Sequence, residues 1–518
     1  ERGIGGGGGR QEATRTNSRA SSVRCNAWVQ QFGSQGCFTH QEEERQPGAS
    51  ACSKGLRADA CSGWFLEGQI LLLLILLAPA LVHADKPNII YILLDDAGYG
   101  DLSCYGQKKF TTPNVDRLAK EGMKFTQHYS GSTVCAPTRS VLMTGLHTGH
   151  TPSRGNREHK PVGQFPIPED TFTIAEALKA KGYATGAFGK WGLGFPGSEG
   201  DPTNQGFDRF FGWNCQRNAH TYYPKWLYDG TKKVEFDGKT YVHSLIMDES
   251  LKWIRENKDK PFFLYLPIAI PHAAMHVPEK YAAPFRKKFP QFEEKVGRYG
   301  NNTPHKKNPA AQFAGMMTVM DEGVGQLMNL LKELNLDDNT VVMFSSDNGP
   351  HKEGGHMPDF FNSNGGLRGY KRSLTEGGIR APLIVRWPGK VKPGTISNHI
   401  SAHWDLFPTL CEIADASIPE GLDGISHLPE LLGKDQRKHE YLYWEFMERG
   451  GKRALRFGEK GEWKALQLKM SKNKNAPIAL YHLAEDPQEK NDVANHHPEL
   501  IKYVKKTFDK AHTKNPHF

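Results

Sequence analysis

The stretch that decides the fold is Asn88–Leu94, NIIYILL, which is followed at once by Asp95 and Asp96. A continuous β-prone apolar run of this kind is typical of a strand that is covered on both faces in a parallel sheet. Ligands of open α/β sheets bind beyond the carboxyl ends of the strands, and two adjacent carboxylates there repel each other unless a cation lies between them. The alternative is a solvated turn, because Asp-Asp before Gly98 also suits a turn.

Three further apolar runs predict buried strands, and each leads into polar residues. They are Tyr183–Phe188, which leads to Lys190; Pro261–Ile270, which leads to Pro271 and His272; and Thr340–Ser345, which leads to Asp347 and Asn348. Carboxylate and amide oxygens are hard ligands, which favour Ca²⁺ or Mg²⁺ over zinc. The sequence therefore predicts an α/β fold with a cation site formed by Asp95–Asp96 and Asp347–Asn348.

A second motif, Cys135–Gly145, reads CAPTRSVLMTG and predicts a short helix. Pro137 suits the first turn of a helix, and Gly145 suits the residue just past its end. Cys135 would lie at the N-terminus of this helix, where free N–H groups favour an anion, and Arg139 would return to the same face one turn later. The alternative is a buried cysteine on an ordinary helix.

The pattern C-x-P-x-R-x-x-x-x-T-G resembles the signature of the type I sulfatases, in which this cysteine is oxidised after translation to formylglycine. Five separated motifs follow the order of that family: Asp95-Asp96, Cys135–Gly145, Gly189-Lys190-Trp191, Pro271-His272 and Asp347-Asn348-Gly349. The resemblance implies hydrolysis of a sulfate ester. It also implies an alkaline-phosphatase-like fold, with a mostly parallel central sheet flanked by helices and a smaller C-terminal antiparallel sheet with a helix.

The resemblance also implies a role for each site residue. Formylglycine made from Cys135 would be hydrated and attack sulfur, with Arg139 supporting the hydrate. The sulfate oxygens would be held by Lys190, His272 and Lys371. The cation, Ca²⁺ or alternatively Mg²⁺, would be bound by Asp95, Asp96, Cys135, Asp347 and Asn348. The implied partners are a sulfated small molecule or carbohydrate as substrate and a formylglycine-generating maturation enzyme.

One position departs from the family pattern. Many sulfatases have a histidine where this chain has Gly192, and that histidine helps to hold or deprotonate the formylglycine hydrate. His220 is a candidate to compensate for it. His276 is a weaker candidate than His272 for binding sulfate, and Arg380 is expected to brace the following strand rather than to contact substrate.

The first 84 residues differ in composition from the rest of the chain. The apolar run Gln69–Leu81 is short for a membrane span, and the small residues up to Ala84 suit a signal peptidase. We expect residues 1–84 to be a non-mature leader, with a signal peptide at about 68–84. Residues 85–435 would form the catalytic domain and residues 436–518 a C-terminal subdomain. The protein is then exported, to the periplasm or outside the cell, without stable membrane insertion; a retained anchor is the alternative.

Cysteine content and charge narrow the remaining possibilities. The predicted mature chain has four cysteines, too few for a disulfide scaffold, although one bridge is compatible with the sequence. The net charge of +9 is scattered and no nucleic-acid motif accompanies it, so nucleic acid is not an expected partner. The rival functions are a phosphomonoester or phosphodiester hydrolase on the same scaffold and a catalytically silent secreted binding protein. The natural substrate, the sulfate position, exo or endo action and the oligomeric state stay open.

Overall fold

The computed structural model describes residues 86–300 and 305–518. The predicted leader and its signal peptide lie outside the described residues, so that part of the domain division stays a prediction. Within the two described ranges, no helix combines the length and the apolar character needed to cross a membrane.

In the described residues, the strands form a central sheet, a four-stranded C-terminal sheet and two short strand pairs. In chain order they are β1 Asn88–Asp95, β2 Met123–Phe125, β3 His128–Tyr129, β4 Ala184–Lys190, β5 Arg209–Trp213, β6 Trp226–Asp229, β7 Lys232–Glu235, β8 Phe262–Pro271, β9 Val296–Gly297, β10 Lys306–Lys307, β11 Thr340–Ser346, β12 Leu383–Arg386, β13 Thr395–Ser397, β14 Ser401–Ala402, β15 Tyr441–Phe446, β16 Lys452–Phe457, β17 Trp463–Leu468 and β18 Ile478–His482.

Helices connect and cover these strands. The α-helices of the described residues are α1 Pro113–Glu121, α2 Cys135–Thr144, α3 Ile174–Ala180, α4 Val242–Glu256, α5 Glu279–Lys288, α6 Pro309–Glu333, α7 Pro358–Phe361, α8 Glu376–Ile379, α9 Leu406–Ile413, α10 Leu428–Leu431 and α11 Pro498–Lys510. The predicted strands are confirmed to within a few residues.

The central sheet has the strand order β13-β2-β12-β11-β1-β8-β4-β5-β6-β7. The five strands β11, β1, β8, β4 and β5 run parallel to one another. On either side of them, β12 pairs antiparallel with β11, and β6 pairs antiparallel with β5 and with β7. Parallel neighbours bring their carboxyl ends to one edge of the sheet. The polar residues that follow β11, β1, β8 and β4 therefore meet there.

Both faces of the sheet are covered, which explains why β1 is a continuous apolar run. Ile90, Ile92 and Leu94 pack in one core with residues of α4 and α6. The alternate residues Ile89, Tyr91 and Leu93 pack in a second core with residues of α3 and α9. Because successive side chains of a strand point to opposite faces, a strand between two helical layers has no polar face.

The C-terminal sheet has the order β15-β16-β17-β18 and is antiparallel throughout. On one face it packs against α11, through residues such as Leu455 and Phe508. On its other face, Trp444 and Leu466 join a core that includes Val141 of α2. The predicted α/β fold with a small antiparallel sheet and a C-terminal helix is confirmed.

Candidate active site

The side chains at the carboxyl edge of the central sheet form one buried cluster. Asp95 ends β1, Lys190 ends β4, His272 follows β8 and Asp347 follows β11. Each of the four is at most 2% exposed. Ligand atoms of Asp95, Asp96, Cys135 and His272 lie within 4.8 Å of one another. Residues from four segments that are far apart in sequence thus come together where the adjacent strands end.

Hydrogen bonds from a backbone N–H and a side-chain amide connect the carboxylates of this cluster. The Asp96 backbone N–H donates to Oδ1 of Asp347 (3.0 Å), and Asp96 has a φ of 70°. Nδ2 of Asn348 donates to Oδ1 of Asp96 (2.7 Å). The carboxylates of Asp96 and Asp347 therefore belong to the same small volume, as the cation prediction requires.

Cys135 is the first residue of α2, and the helix ends with Gly145 at a φ of 68°. The Cys135 thiol donates to Oδ1 of Asp95 at 3.2 Å. Burial and the charge of Asp95 raise the pKa of this thiol well above its usual value, so the unmodified cysteine is a neutral thiol. The Ala136 N–H donates to Oδ1 of Asn156 (3.0 Å), and the sequence had not indicated this contact.

Arg139 is fully buried and links the end of β4 to Asp347. Its guanidinium donates to the carbonyl oxygen of Lys190 and, at 3.0 Å, to Oδ2 of Asp347. Burial and the neighbouring Asp95 raise the pKa of Asp347 to about 7, whereas Arg139 opposes this rise. Arg139 thus stabilises a carboxylate that burial would otherwise favour in its neutral form.

Lys190 pairs with the carboxylate of Asp95, with Nζ 2.5 Å from Oδ2. Burial alone disfavours the charged form of both groups. Lys190 and the other nearby cations nevertheless hold the pKa of Asp95 well below its usual value, and Asp95 raises the pKa of Lys190. Lys190 therefore carries its positive charge beside the thiol of Cys135.

Lys371 reaches the same cluster from the loop before α8. Its Nζ donates to Oδ2 of Asp96 (2.8 Å) and lies 3.0 Å from Nε2 of His272. Nδ1 of His272 lies 2.5 Å from the carbonyl oxygen of Ala273, which can only accept, so Nδ1 carries a proton. Burial and Lys371 hold the pKa of His272 well below its usual value, so this imidazole is neutral with an accepting Nε2.

His220 also lies at the site. Its ring stacks on that of His272, with centroids 4.5 Å apart and planes 5° apart. Burial and the neighbouring His272 and lysines lower the pKa of His220 to about 2, which leaves this imidazole neutral. Its proposed compensation for the missing family histidine stays a prediction.

Gln216 occupies the space beside Gly192. A Cβ atom added to Gly192 would lie 2.1 Å from Nε2 of Gln216 and 3.7 Å from Cδ of Arg139, and Gly192 has a φ of 88°. Gln216 is buried, and within the described residues neither of its amide atoms has a hydrogen-bond partner. A side chain at position 192 would thus be strained by the backbone conformation and would require the end of the Gln216 side chain to move.

Sequence reasoning missed two charged residues at the edge of the cluster, Glu353 and Arg372. Oε2 of Glu353 lies 3.5 Å from Nζ of Lys371, and Oε1 lies 2.6 Å from the Arg372 guanidinium. Two signals could have indicated them. Glu353 follows Asn348 by five residues, and Arg372 is adjacent to Lys371.

The remaining candidate residues, His276 and Arg380, contact other parts of the fold, and the cysteines form no bridge within the described residues. His276 is buried, and its ring lies 6.5 Å from that of Tyr222. Arg380 pairs with Glu376 and donates to the Thr126 carbonyl oxygen (2.8 Å), as expected of a residue that braces the strand. The four cysteines of the described residues, Cys104, Cys135, Cys215 and Cys411, are all free thiols, so no disulfide forms among them.

The donor set fits a hard divalent cation. The side chains of Asp95, Asp96, Asp347 and Asn348 offer oxygen atoms from two adjacent strand ends, β1 and β11. Within the described residues, Oδ1 of Asn348 is buried and has no hydrogen-bond partner, whereas Nδ2 donates to Asp96 and to the Gly349 carbonyl oxygen. An orphaned buried oxygen beside three carboxylates is the arrangement that Ca²⁺ or Mg²⁺ would satisfy.

This architecture defines the alkaline-phosphatase-like class of α/β enzymes, and comparison with known proteins narrows the class. The family model described as Sulfatase matches residues 87–416. The model described as N-sulphoglucosamine sulphohydrolase, C-terminal, matches residues 368–514.

Relatives and solved structures agree with these matches. The chain is 30% identical to N-acetylgalactosamine-6-O-sulfatase of Bacteroides thetaiotaomicron, over 83% of this chain and 94% of that protein. It is 31% identical to human arylsulfatase A, over 84% of this chain and 89% of that protein. The crystal structure of Ps i-CgsB in complex with k-i-k-neocarrahexaose matches with a TM-score of 0.69 and 29% identity, over 82% of this chain and 92% of that one.

The chain therefore belongs to the sulfatase family. This confirms the family and the enzyme class that the five motifs predicted.

The backbone conformation of Gly192 and its contact with Gln216 predict how two substitutions change stability. Gly192→His is expected to lower the free energy of unfolding by about 1–3 kcal/mol, because the side chain overlaps Gln216 and requires a strained φ. In the double variant Gly192→His/Gln216→Gly, part of this loss should be recovered. Thermal unfolding of both variants, with Gln216→Gly alone as control, checks the prediction, and equal stability of the single and double variants would contradict it.

Proposed function

We propose that this sulfatase releases inorganic sulfate from an aryl or carbohydrate sulfate ester with formylglycine, made from Cys135 by a maturation enzyme. The observation that carries the proposal is the Cys135 thiol at the start of α2, 3.2 Å from Asp95, where four parallel strands end. Formylglycine would supply an aldehyde hydrate with two hydroxyls, one to attack sulfur and one to expel sulfate as the aldehyde re-forms.

The proposed metal ion is Ca²⁺, with Mg²⁺ as the second possibility. The ligands would be the side chains of Asp95, Asp96, Asp347 and Asn348, together with the modified side chain of residue 135. A divalent cation bound there would favour the ionised form of an oxygen nucleophile and offset the charge of the sulfate group. The carboxylate and amide donor set supports this proposal.

The chain's own cations would hold the sulfate group. Lys190 and Lys371 both lie beside the cluster in their charged form, so their ammonium groups can donate to sulfate oxygens as negative charge moves to the leaving oxygen. His272 is neutral and its accepting Nε2 lies 3.0 Å from Nζ of Lys371, so His272 would position this ammonium group, which can donate to the leaving oxygen. Arg139 would support the nucleophile through its contact with Asp347.

The proposal extends to maturation and location. We take residues 1–84 as a leader that is removed on export to the periplasm or the extracellular space. Residues 85–435 would be the catalytic domain and residues 436–518 the C-terminal subdomain, whose first strand begins at Tyr441. The substrate would be a sulfated small molecule or carbohydrate, and the maturation partner a formylglycine-generating enzyme.

Hydrolysis of two matched aryl esters tests the reaction. The full chain, co-produced with a formylglycine-generating enzyme, is expected to hydrolyse p-nitrophenyl sulfate with a kcat/KM at least about tenfold above that for p-nitrophenyl phosphate. Preference for the phosphate ester would instead assign the site to a phosphomonoester hydrolase. Failure to cleave either ester, with residue 135 verified as formylglycine by mass spectrometry, would favour a silent binding protein or a very selective enzyme.

Metal removal tests the cation. A chelator is expected to lower the rate by about 100-fold or more, because the positive charge that favours the nucleophile is lost. Re-addition of Ca²⁺ should restore more activity than Mg²⁺. A rate that does not respond to chelation would contradict the proposed ligand set.

A further inference from the structure

Beside the sulfate-binding groups lies a second charged pair that the reaction itself does not require. Glu353 and Arg372 form an ion pair, with 2.6 Å between the closest atoms. Their side chains are 21% and 23% exposed, so the pair reaches the surface, whereas Lys371 and His272 beneath it are almost fully buried. Oε2 of Glu353 lies 3.5 Å from Nζ of Lys371 and 4.0 Å from Nε2 of His272. The pair thus borders the place where the leaving oxygen of the ester would be.

The backbone holds Arg372 in this position. Arg372 has a φ of 73°, a left-handed conformation that is strained for a residue with a side chain. Its N–H donates to the Thr133 carbonyl oxygen (3.0 Å), two residues before Cys135, and its carbonyl oxygen accepts from Nζ of Lys452 (2.8 Å). Contacts from the loop before α2 and from strand β16 therefore stabilise a conformation that Arg372 would not adopt alone.

Glu353 is held by the residues that position His272. Its backbone N–H donates to Nδ1 of His351 (3.0 Å), so Nε2 of His351 carries the proton and donates to the carbonyl oxygen of Pro271 (3.1 Å). Glu353 is thereby fixed relative to the end of β8. Its carboxylate is held separately, by the ion pair with Arg372 and by Lys371.

Two aromatic rings lie near the pair. His220 stacks on His272, and the ring of Tyr299 meets that of His220 edge-on at 4.9 Å. Tyr299 also lies 5.8 Å from His272. Both rings are partly exposed, as a wall that contacts the apolar face of a bound ring would be.

From this geometry we infer that Glu353 and Arg372 recognise the alcohol part of the substrate as a sugar ring with a free hydroxyl on the carbon next to the sulfated one. The inference rests on the proposed function. The carboxylate would accept from that hydroxyl while the guanidinium donates to the same or the next oxygen. The short distance from Glu353 to Lys371 restricts the recognised hydroxyl to the immediate neighbourhood of the ester.

The same ion pair also predicts which sulfate esters the enzyme should hydrolyse poorly. Because Glu353 already compensates the charge of Arg372, the subsite offers no net positive charge to a second sulfate or a carboxylate. A ring with vicinal sulfates should therefore be a poor substrate. A primary sulfate ester, whose neighbouring carbon carries the ring oxygen instead of a hydroxyl, should be poor for the lack of a donor.

A panel of sulfate esters tests the inference in the metal-loaded, formylglycine-containing enzyme. The panel contains p-nitrophenyl sulfate and the monosulfates of galactose and N-acetylgalactosamine at ring hydroxyls and at the primary hydroxyl. For the best ring sulfate, the panel also includes the derivative in which the neighbouring hydroxyl is methylated and the derivative in which it is sulfated. A ring sulfate is expected to be the best of these, and either derivative should lower kcat/KM by about 10- to 100-fold.

Substitutions then link this preference to the pair. In Arg372→Met and Glu353→Gln, the ratio of kcat/KM for the best ring sulfate to that for p-nitrophenyl sulfate should fall at least about tenfold. Arg255→Met is the matched control, because Arg255 forms an exposed ion pair with Glu333 at 2.7 Å on another part of the surface. In this control the ratio should not change.

Each outcome bears on one of the two proposals. A preference for the primary sulfate, insensitivity to methylation, or an unchanged ratio in both variants would overturn the assignment of this subsite while leaving the sulfatase reaction intact. Loss of hydrolysis of every sulfate ester by the wild-type enzyme would instead overturn the proposed function, so the two failures are distinguishable.

Discussion

Cys135→Ala is expected to abolish sulfate release, with a fall in kcat of at least about 10⁴-fold, because covalent catalysts lose nearly all activity with their nucleophile. The Cys135 thiol lies 3.2 Å from Asp95 and is buried near the cations Lys190 and Lys371, where the attacking group would meet the sulfate. Cys135→Ser is expected to be inactive in steady state as well, since a serine offers one hydroxyl where the hydrated formylglycine offers two.

The measurement is release of sulfate from p-nitrophenyl sulfate under multiple turnover. Cys104→Ala is the matched control, because it removes a free thiol that is partly buried outside the site, and it should keep wild-type activity. Mass spectrometry of the peptide from Phe125 to Arg139 reports whether residue 135 has been oxidised. Sulfate release by Cys135→Ala at more than a small fraction of the wild-type rate would remove residue 135 from the mechanism.

The largest effect on stability is expected for Lys464→Met. Nζ of Lys464 lies 2.7 Å from Oε1 of Glu376 and 3.3 Å from Oε1 of Glu489, and all three side chains are fully buried. Removing the lysine leaves two buried carboxylates with less compensation, which costs about 3–5 kcal/mol of the free energy of unfolding. Burial raises the pKa of Glu489, Lys464 opposes this rise and the charge of Glu376 adds to it.

This cluster joins the C-terminal sheet to the catalytic part of the chain. Lys464 belongs to β17, Glu376 begins α8 just after Lys371, and the Glu376 N–H donates to Oε2 of Glu489 (2.8 Å). The midpoint of guanidinium unfolding checks the prediction, with Arg255→Met as the exposed control that should cost at most about 1 kcal/mol. Replacing both carboxylates as well, in Lys464→Met/Glu376→Gln/Glu489→Gln, should recover part of the loss. A shift in Lys464→Met no larger than in the control would contradict the argument.

Local sequence patterns predicted much of the fold and part of the site. The apolar runs that form β1, β4, β8 and β11 were visible because a strand buried on both faces needs an unbroken apolar sequence. Because parallel strands share one carboxyl edge, the residues after these runs could be expected to meet there. The α2 helix was visible from Pro137 and Gly145, whose backbone preferences act locally.

The contacts that loops contribute were not predictable in the same way. Asn156 binds the N–H of Ala136, and Gln216 occupies the space beside Gly192. Neither has a local sequence signal, because each depends on how a loop packs against a segment that is distant in sequence. The role of His220 was a hypothesis of the same kind, and in the structure its ring stacks on that of His272.

The sequence by itself determined the strands, the signature helix, the family and the chemical types of the site residues, because periodicity, capping and motif order are encoded locally. Only the tertiary structure decided which charges face one another. Lys371 meets Asp96 across 275 residues of chain, and Arg372 meets Glu353 at the mouth of the site. These distances follow from the packing of separate loops on a common sheet edge, and such packing has no counterpart in any short stretch of sequence.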